Sequence, residues 1–193
     1  MLDDAALDTL FRAARSQNGW LDRPLPDGIL EEIWALTAMG PTSANTEPMR
    51  VVWCVSAEAK AKLAALCSEK NAPKITGAPA TAILGMDMAF YEKLPQLFPH
   101  TDARPWFTGN PAGIEPTALR NSSLQGAYLM LAARALGLDV GPMSGFDQPA
   151  VDAAFFGGTT VKSNFICSIG YGDPGQVFER LPRLAFDQAN TVL

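Results

Sequence analysis

Three short apolar runs, each of the length of a buried strand, constrain the fold of this chain most strongly. They lie at Met49–Val55, Pro79–Met86 and Ser163–Tyr171, and segments with helical periodicity separate them. Apolar runs of about four to eight residues, bounded by Gly, Pro, Ser or Asn, are typical of strands that are covered on both faces. Strands interleaved with helices predict a layered α+β or α/β fold, in which helices flank a central sheet.

Helices are expected where apolar residues recur with a period of about 3.6 and capping residues mark the ends. The predicted helices cover Asp3–Arg15, Asp27–Gly40, a short segment from Ser56 to about Leu66, and Thr117–Leu136. Their inward faces are Leu7, Leu10, Phe11 and Ala14; Ile29, Leu30, Ile33 and Trp34; and, in the last helix, Leu124, Ala127, Tyr128 and Leu131. Asp87–Pro116 shows no period and is too long for a simple connection, which predicts a lid or an interface segment.

Composition argues against several classes of function. The 193 residues, 48% of them hydrophobic, suit one domain, residues 1–193, with a sizeable core. A net charge of −5 argues against a nucleic-acid or anionic-membrane partner, because both require a basic surface. No run approaches the roughly 18 apolar residues of a membrane span, and the acidic start lacks the features of a secretory signal.

Cysteine and histidine usage narrows the chemistry further. The chain has three cysteines, no C-x-x-C pair and a single histidine, His100. This set argues against a disulfide framework, a cysteine-based zinc site and a histidine-based catalytic triad. A cytoplasmic location, where thiols stay reduced, is expected.

The loop Gly40–Pro48 is the strongest candidate for ligand binding. Its two prolines, Pro41 and Pro48, surround small hydroxyl residues and Asn45, a composition that disfavours regular structure and fixes a loop. The Asn45 amide both donates and accepts hydrogen bonds, so it suits the edge of a flat heteroaromatic ring. A plain connection between a helix and a strand has the same composition, and both interpretations stay open at this point.

Arg15 and Ser16, at the end of the first predicted helix, form a candidate phosphate site. A guanidinium group gives a bidentate, charge-assisted contact to phosphate, and the serine adds a donor. Arg180 and Arg183, near the C-terminus, offer a second cation. Solvated arginines are also common at helix ends, and that alternative stays open as well.

The segment Gly137–Phe146 carries three glycines and one proline. Glycines allow a backbone to approach a planar ligand closely, so that its N–H groups bond ring heteroatoms. This segment is not a G-x-G-x-x-G dinucleotide fingerprint, because the glycine spacing differs and no predicted strand precedes it. A G-x-x-x-x-G-K-[ST] phosphate loop is also absent from the sequence.

In their order along the chain, these segments resemble the nitroreductase-like flavoprotein family. Arg15-Ser16 is similar to the family's N-terminal phosphate motif, Pro41–Asn45 to its flavin loop, and Gly137–Phe146 to its glycine-rich segment beside the isoalloxazine ring. Arg183 is similar to its C-terminal phosphate-binding arginine. Asn18 stands where many members carry a basic residue, which shifts the expected phosphate contacts toward the arginines.

One branch of the family is resembled more closely: the malonic semialdehyde reductases, or 3-hydroxypropanoate dehydrogenases, of bacterial pyrimidine degradation. The blocks that carry this resemblance include Asn18–Trp20, Phe98–His100, Asp102–Arg104, Arg120–Ser123, Gly141–Asp147, Lys162–Asn164, Ile169–Asp173 and Leu181–Leu184. They are spread over essentially the whole chain.

The resemblance implies an α+β, nitroreductase-like fold with a mixed central β-sheet flanked by helices. It also implies an interlocked homodimer, in which a C-terminal extension reaches around the partner and FMN binds at the interface. The cofactor-binding residues implied in this way are Arg15, Ser16, Asn18, Pro41, Thr42, Ser43, Asn45, Gly141, Pro142, Met143, Ser144, Gly145 and Arg183.

The implied reaction is reduction of malonic semialdehyde to 3-hydroxypropanoate with NADPH or NADH, the hydride passing through flavin N5. Arg104 is the candidate anchor for the substrate carboxylate, and His100 is the candidate proton donor to the new alkoxide. Three alternatives stay open: a broad reductase of nitroaromatics, quinones or enones on the same FMN site, a flavin-storage or electron-relay protein, and a structural domain without a ligand. No motif that reads the ribose distinguishes NADH from NADPH.

Overall fold

Four strands form the centre of the molecule, which a computed structural model describes over residues 1–193. The strands are β1 Met49–Cys54, β2 Ala80–Asp87, β3 Asp139–Met143 and β4 Val161–Gly170, in the spatial order β1-β2-β4-β3. The three strands predicted from the sequence are confirmed as β1, β2 and β4, whereas β3 lies in the glycine-rich segment and was not expected.

The sheet is antiparallel rather than mixed, which corrects the expectation. β1 pairs with β2, β2 with β4 and β4 with β3, each in the antiparallel sense. Parallel pairing is limited to an isolated bridge between Ser16 and Val140, beside the edge strand β3. The N-terminal segment beside β3 is therefore the one place where parallel pairing occurs next to the antiparallel sheet.

Nine α-helices, several of them a single turn, accompany the sheet. Their bounds are α1 Asp4–Leu7, α2 Ile29–Thr37, α3 Ala57–Ala64, α4 Ala72–Gly77, α5 Leu94–Leu97, α6 Pro105–Thr108, α7 Ile114–Ala135, α8 Gln148–Phe155 and α9 Phe186–Ala189. Ser56 caps α3, as the sequence predicts, by accepting a hydrogen bond from the backbone N–H of Ala59. No helix is both long enough and apolar enough to cross a membrane.

The central strand β2 separates two hydrophobic cores. Ala82 and Leu84 belong to the core formed with α2 and α7, whereas Ile83 belongs to the core formed with α3, α4 and α8. This alternation follows from the strand period of two. The result is an α+β arrangement with helices on both faces of the sheet, so ligands have access mainly at its edges and ends.

The long helix α7 buries a different face from the one predicted. Its buried residues are Ala118, Asn121, Ser122, Gln125, Gly126, Leu129, Ala132 and Ala133, whereas Leu124 of the predicted stripe is 40% exposed. The apolar periodicity was misleading because three polar side chains occupy core positions. Gly126 also belongs to this face, since a Cβ there would lie 2.5 Å from the ring of Phe165.

The first two predicted helices also depart from expectation. The first is one α-turn, α1, followed by a π-helical turn at Asp8–Arg12, and it buries no residue in the single chain. The second, α2, begins after Gly28, whose φ of 77° is left-handed, and Asp27 does not cap it. Trp34, predicted to face inward, is 39% exposed.

The segment between β2 and α7 is folded into short helical turns. Phe90 is fully buried there and packs edge-to-face on Phe107, with ring centroids 4.8 Å apart. Beyond Gln176 the chain is largely exposed and contains only the short helix α9. The predicted lid thus rests on an aromatic anchor, whereas the C-terminal segment has little support from its own chain.

Candidate functional site

The N-terminal Arg-Ser motif lies along the glycine-rich strand. The backbone N–H of Gln17 donates to the carbonyl oxygen of Val140 over 3.0 Å, next to the Ser16–Val140 bridge. Gly141 is required by this approach, because a Cβ there would lie 2.7 Å from the carbonyl oxygen of Gln17. Two motifs far apart in sequence are therefore brought together by backbone pairing.

A cavity of about 250 Å³ opens beside this pairing. Its lining comprises Arg15, Ser16, Asn18, Phe178, Glu179, Arg180, Leu181 and Arg183. The structure thus brings together the predicted phosphate residues from the N-terminal segment and the predicted arginine from the C-terminal segment. We refer to it as the arginine cavity.

Hydrogen bonds to backbone carbonyls hold the arginine cavity in shape. Arg15 donates to the carbonyl oxygen of Phe178, which ties the C-terminal segment to the N-terminal motif. Arg180 donates to the carbonyl oxygens of Arg12 at 2.7 Å and Ala14 at 3.0 Å. Arg180 was considered from the sequence only as a possible second cation; the structure places it in the wall of the cavity.

The electrostatics of the arginine cavity favour an anion. Three guanidinium groups line it, and Glu179 is the acidic residue among them. Guanidinium groups bind phosphate oxygens in bidentate geometry, and the Ser16 hydroxyl and Asn18 amide add donors. The charge and donor set therefore fit a phosphomonoester better than a neutral group.

The loop Pro41–Glu47 has a strained backbone. Ala44, Asn45 and Glu47 have φ values of 49°, 51° and 37°, in the left-handed region that disfavours residues with a Cβ. Such residues persist only where the surrounding structure holds them, and they cluster at binding sites. The prolines predicted a loop here, but the sequence gives no sign of the strain.

Neighbouring elements fix this loop through its backbone. The N–H of Ser43 donates to Asn121 Oδ1 at 2.8 Å, and the hydroxyl of Tyr128 donates to the carbonyl oxygen of Pro41 at 2.9 Å. Within the loop, the N–H of Glu47 donates to the Thr42 hydroxyl at 3.3 Å. These bonds fix the Thr42 hydroxyl and the backbone of Ser43, whose side chain is exposed.

The loop and the arginine cavity are separated within one chain. The loop leads into β1 at Met49, which pairs with Met86, while Val140 pairs with Ile169 on the opposite edge of the sheet. Three strand spacings and an offset of six residues along β2, from Met86 to Ala80, place Met49 roughly 25 Å from Val140. The single chain therefore does not bring these two groups of predicted residues into one cavity.

The glycine-rich segment presents alternate residues to solvent. Pro142, Ser144 and Gly145 are exposed, whereas Met143 is buried in the core formed with α3, α4 and α8. The side chain of Met143 therefore belongs to the core, which leaves the backbone of this residue for the contact predicted with a ligand. At Gly145 a Cβ would lie 2.8 Å from Asn71 Nδ2, so contacts within the chain explain this glycine too.

The family model described as "Nitroreductase family" matches residues 12–172. The chain belongs to this family.

A relative from Stenotrophomonas maltophilia, provisionally named NADH dehydrogenase/NAD(P)H nitroreductase, is 62% identical over 188 residues, which is 97% of this chain and 96% of the relative. The crystal structure of the provisionally assigned nitroreductase ydfN of Bacillus subtilis has a TM-score of 0.89 at 22% identity, over 99% of this chain and 100% of that one. A provisionally assigned nitroreductase from Exiguobacterium sibiricum, described as a complex with FMN, has a TM-score of 0.86 at 20% identity, over 100% of this chain and 98% of that one. The nitroreductase-like fold is thereby confirmed.

In this chain the two predicted substrate residues, His100 and Arg104, are exposed and lie on the segment between β2 and α7. The ring of His100 lies 3.9 Å from that of Phe98, centroid to centroid. Arg104 donates to Glu92, with N–O distances of 2.8 Å and 2.6 Å to its two carboxylate oxygens. This hydrogen bond raises the pKa of Arg104 above its ordinary value. The predicted carboxylate anchor therefore already has a carboxylate partner.

The strained loop and the segment that carries His100 are linked. Asn45 Nδ2 donates to the carbonyl oxygen of Leu97 at 2.9 Å, three residues before His100. The oxygen of the Asn45 amide accepts no hydrogen bond within the chain and stays available as an acceptor. The structure thus places the flavin-loop candidate next to the segment predicted to be a lid.

Other features of the chain lie away from these residues. Cys54 and Cys167 are buried, and burial raises the pKa of their thiols to about 11 and about 12. A larger cavity, of about 600 Å³, lies between the start of α2 and the end of α4 and contains none of the predicted site residues. Asn121, Gln125 and Tyr128, which hold the strained loop or the strand it leads into, were not predicted as functional.

Proposed function

We propose that this chain is an FMN-dependent oxidoreductase that uses NADPH or NADH to reduce malonic semialdehyde to 3-hydroxypropanoate. The observation that carries the cofactor is the arginine cavity, where Arg15, Arg180 and Arg183 meet beside the glycine-rich strand. The assignment of the substrate rests on the sequence blocks that resemble the semialdehyde reductase branch. We expect the enzyme to act in the cytoplasm, where its thiols stay reduced.

The residues present fit FMN. Arg15, Ser16 and Arg183 would hold the phosphate, and Asn18 would add an amide contact where a basic side chain is missing. The exposed residues Pro142, Ser144 and Gly145 would lie along the ring system, and the backbone N–H groups of Ser144 and Gly145 would be the donors to its heteroatoms. When bound, FMN supplies hydride transfer between the nicotinamide and the acceptor. The protein residues position and tune it, so no side-chain nucleophile is needed.

The proposed active form is a homodimer of the single domain 1–193. The C-terminal segment exposes Phe178, Leu181, Leu184 and Phe186 at 76%, 74%, 72% and 69%, and contiguous exposed apolar side chains of this kind mark interaction surfaces. A second copy would cover these side chains. It would also supply Pro41, Thr42, Ser43 and Asn45 to the arginine cavity of its partner, which these residues do not reach within their own chain.

Substrate binding is proposed for the segment between β2 and α7. Arg104 would bind the carboxylate of the semialdehyde, and His100 would donate the proton to the new alkoxide. His100 and Arg104 are both exposed, and the link from Asn45 to Leu97 joins their segment to the flavin loop. Exclusion of water would then follow from ordering this segment over the bound substrate.

A second candidate is a broad reductase of nitroaromatics, quinones or enones on the same FMN site. Two observations favour it. Glu92 satisfies Arg104 internally, so the guanidinium is not free for a substrate carboxylate. In addition, Phe98 and Trp106 pack with their ring centroids 5.9 Å apart and are partly exposed, which suits a flat apolar acceptor.

An anaerobic half-reaction separates the two candidates. The FMN-loaded protein is bleached with one equivalent of NADPH, and in parallel with NADH, and then mixed with malonic semialdehyde or with a nitroaromatic. We expect the flavin absorption band to return faster with the semialdehyde. Return with the nitroaromatic or a quinone alone would reject the semialdehyde assignment while retaining the cofactor. A colourless protein that takes up no FMN would reject both.

A further inference from the structure

We infer that Asn121 and Gln125, which do not belong to the predicted cofactor set, are positioning residues that keep the Thr42–Met49 loop in its binding conformation. This inference rests on the proposed function, in which that loop contacts FMN. It assigns a role to two polar residues in the middle of a core helix, where an apolar side chain is the norm.

The two side chains hold the loop at its two ends. Asn121 Oδ1 accepts from the N–H of Ser43 at 2.8 Å, and Gln125 Oε1 accepts from the N–H of Met49 at 2.9 Å. Both side chains are fully buried. Because they are four residues apart on α7, they lie on one face of the helix, one turn from each other.

The loop between these two bonds is the part of the chain that needs support. Ala44, Asn45 and Glu47 all have positive φ values. A free loop would relax such residues to ordinary conformations, and only several independent ties keep them in place. The bonds from Asn121 and Gln125 fix the backbone at Ser43, directly before the strained residues, and at Met49, two residues after them.

A third tie acts from the sheet side. Arg50 donates to the carbonyl oxygen of Glu47 at 2.8 Å, and its guanidinium pairs with Asp87 at 2.9 Å. The pairing to Asp87 at the end of β2 fixes the direction of Arg50. The loop is thus held by α7 on one side and by β1 and β2 on the other, so its hydroxyl and amide groups are preorganised for a ligand.

The chemistry of Gln125 supports a positioning role. Its Oε1 accepts a hydrogen bond from the N–H of Met49, whereas its Nε2 is buried without a partner. The hydroxyl of Thr46, within the loop, is also buried without a partner. A buried donor without a partner is costly. Retaining the amide at that cost is understandable if its acceptor is needed where the strained loop joins β1.

The test compares FMN affinity among variants of α7. Asn121→Leu and Gln125→Met remove the acceptors at similar volume, and Asn121→Asp keeps an acceptor. Ser122→Ala is the matched control, because Ser122 is equally buried on the same helix but bonds Leu119 and Asn164 rather than the loop. We expect the Kd for FMN to rise about tenfold or more in the first two variants. Asn121→Asp should recover part of this loss, and Ser122→Ala should stay within about twofold of wild type.

A measurement on the wild-type protein removes any dependence on how the variants fold. Ser43 is exposed, so its amide hydrogen should exchange rapidly with solvent unless Asn121 holds it. We expect slow exchange at Ser43 in the FMN-free protein by NMR. Rapid exchange at Ser43, or variants that bind FMN like wild type, would overturn the inference alone. A wild-type protein that binds no FMN would overturn the proposed function and the inference with it.

Discussion

The backbone N–H of Gln17 donates a 3.0 Å hydrogen bond to the carbonyl oxygen of Val140. This bond aligns the N-terminal Arg-Ser motif with the edge strand of the sheet. It leaves the side chains of Arg15 and Ser16 at the arginine cavity, where the C-terminal arginines join them. The phosphate end and the ring end of the proposed cofactor site are therefore linked by main-chain pairing, which is insensitive to most side-chain substitutions.

Removal of Arg183 is expected to weaken FMN binding through its phosphate. Arg183→Ala should raise the Kd for FMN about tenfold or more, because a charge-assisted contact is lost. Riboflavin has no phosphate, and its Kd should change little in the same variant. Fluorescence titration measures both values. Arg12→Ala is the control, since Arg12 pairs with Asp4 and Asp8 and does not line the cavity. Equal losses for FMN and riboflavin would contradict a phosphate contact.

The strands were predictable because their apolar runs match what a doubly covered sheet requires. β3 was missed because Gly141 and Pro142 disfavour a strand interior. The structure accommodates both: β3 is an edge strand, so the missing N–H of Pro142 costs no central pairing, and Gly141 allows Gln17 to approach. The mixed sheet was expected from family resemblance, whereas strand direction is decided by long-range pairing that the local sequence does not encode.

The candidate site was predictable as a set of motifs but not as a geometry. Arginines, hydroxyls and glycines in a fixed order indicate a phosphate and a ring. The arginines and glycines meet at one edge of the sheet and the loop Pro41–Glu47 lies at the other, a separation that follows from strand order and register, which local patterns do not contain. Asn121 and Gln125 were missed because apolar periodicity assigned the inward face of α7 to other residues, including the exposed Leu124.

Substitutions of Glu92 and Arg104 are expected to shift the KM for malonic semialdehyde in opposite directions. Glu92→Gln weakens the internal partner of Arg104, so the KM for malonic semialdehyde should fall about twofold to fivefold, the range of a weak exposed ion pair. Arg104→Ala should raise the same KM. Steady-state kinetics with a nitroaromatic serve as the control, because an acceptor without a carboxylate should respond to neither change. A KM near wild type in Arg104→Ala would reject the anchor role.

The buried thiols predict a loss of stability at high pH. Burial raises the pKa of Cys54 from 9.0 to about 11. Below pH 9 the thiol is protonated in the folded and the unfolded chain, so its full contribution is present. Between pH 9 and about 11 only the unfolded chain releases the proton, and stability falls by about 1.4 kcal/mol per pH unit at most. Urea unfolding from pH 8 to 10.5 measures the slope, which should be shallower in Cys54→Ala.

Gly40 is expected to be essential for the packing of the strained loop. A Cβ at this position would lie 2.0 Å from Tyr128 Cδ2, and Tyr128 donates to the carbonyl oxygen of Pro41. Gly40→Ala should therefore lower stability by about 1–3 kcal/mol and weaken FMN binding, because the tyrosine must move. Gly77→Ala is the control, since its Cβ would meet Trp20 at an ordinary 3.8 Å. Equal thermal unfolding of the two variants would contradict this expectation.

Substitution of apolar residues in the exposed C-terminal segment is expected to abolish FMN binding and self-association together. Leu184 and Phe186 are 72% and 69% exposed in the single chain and do not line the arginine cavity, and a second copy is proposed to bury them. The double variant Leu184→Ser, Phe186→Ser should shift the protein toward monomer in sedimentation velocity, because it removes apolar area from the interface. Since the loop of one chain and the arginine cavity of the other would then separate, flavin should dissociate as well. Leu119→Ser, which changes an exposed leucine of α7, tests whether any loss of surface apolar area has this effect. A double variant that stays dimeric and retains FMN would show that the C-terminal segment does not join the subunits.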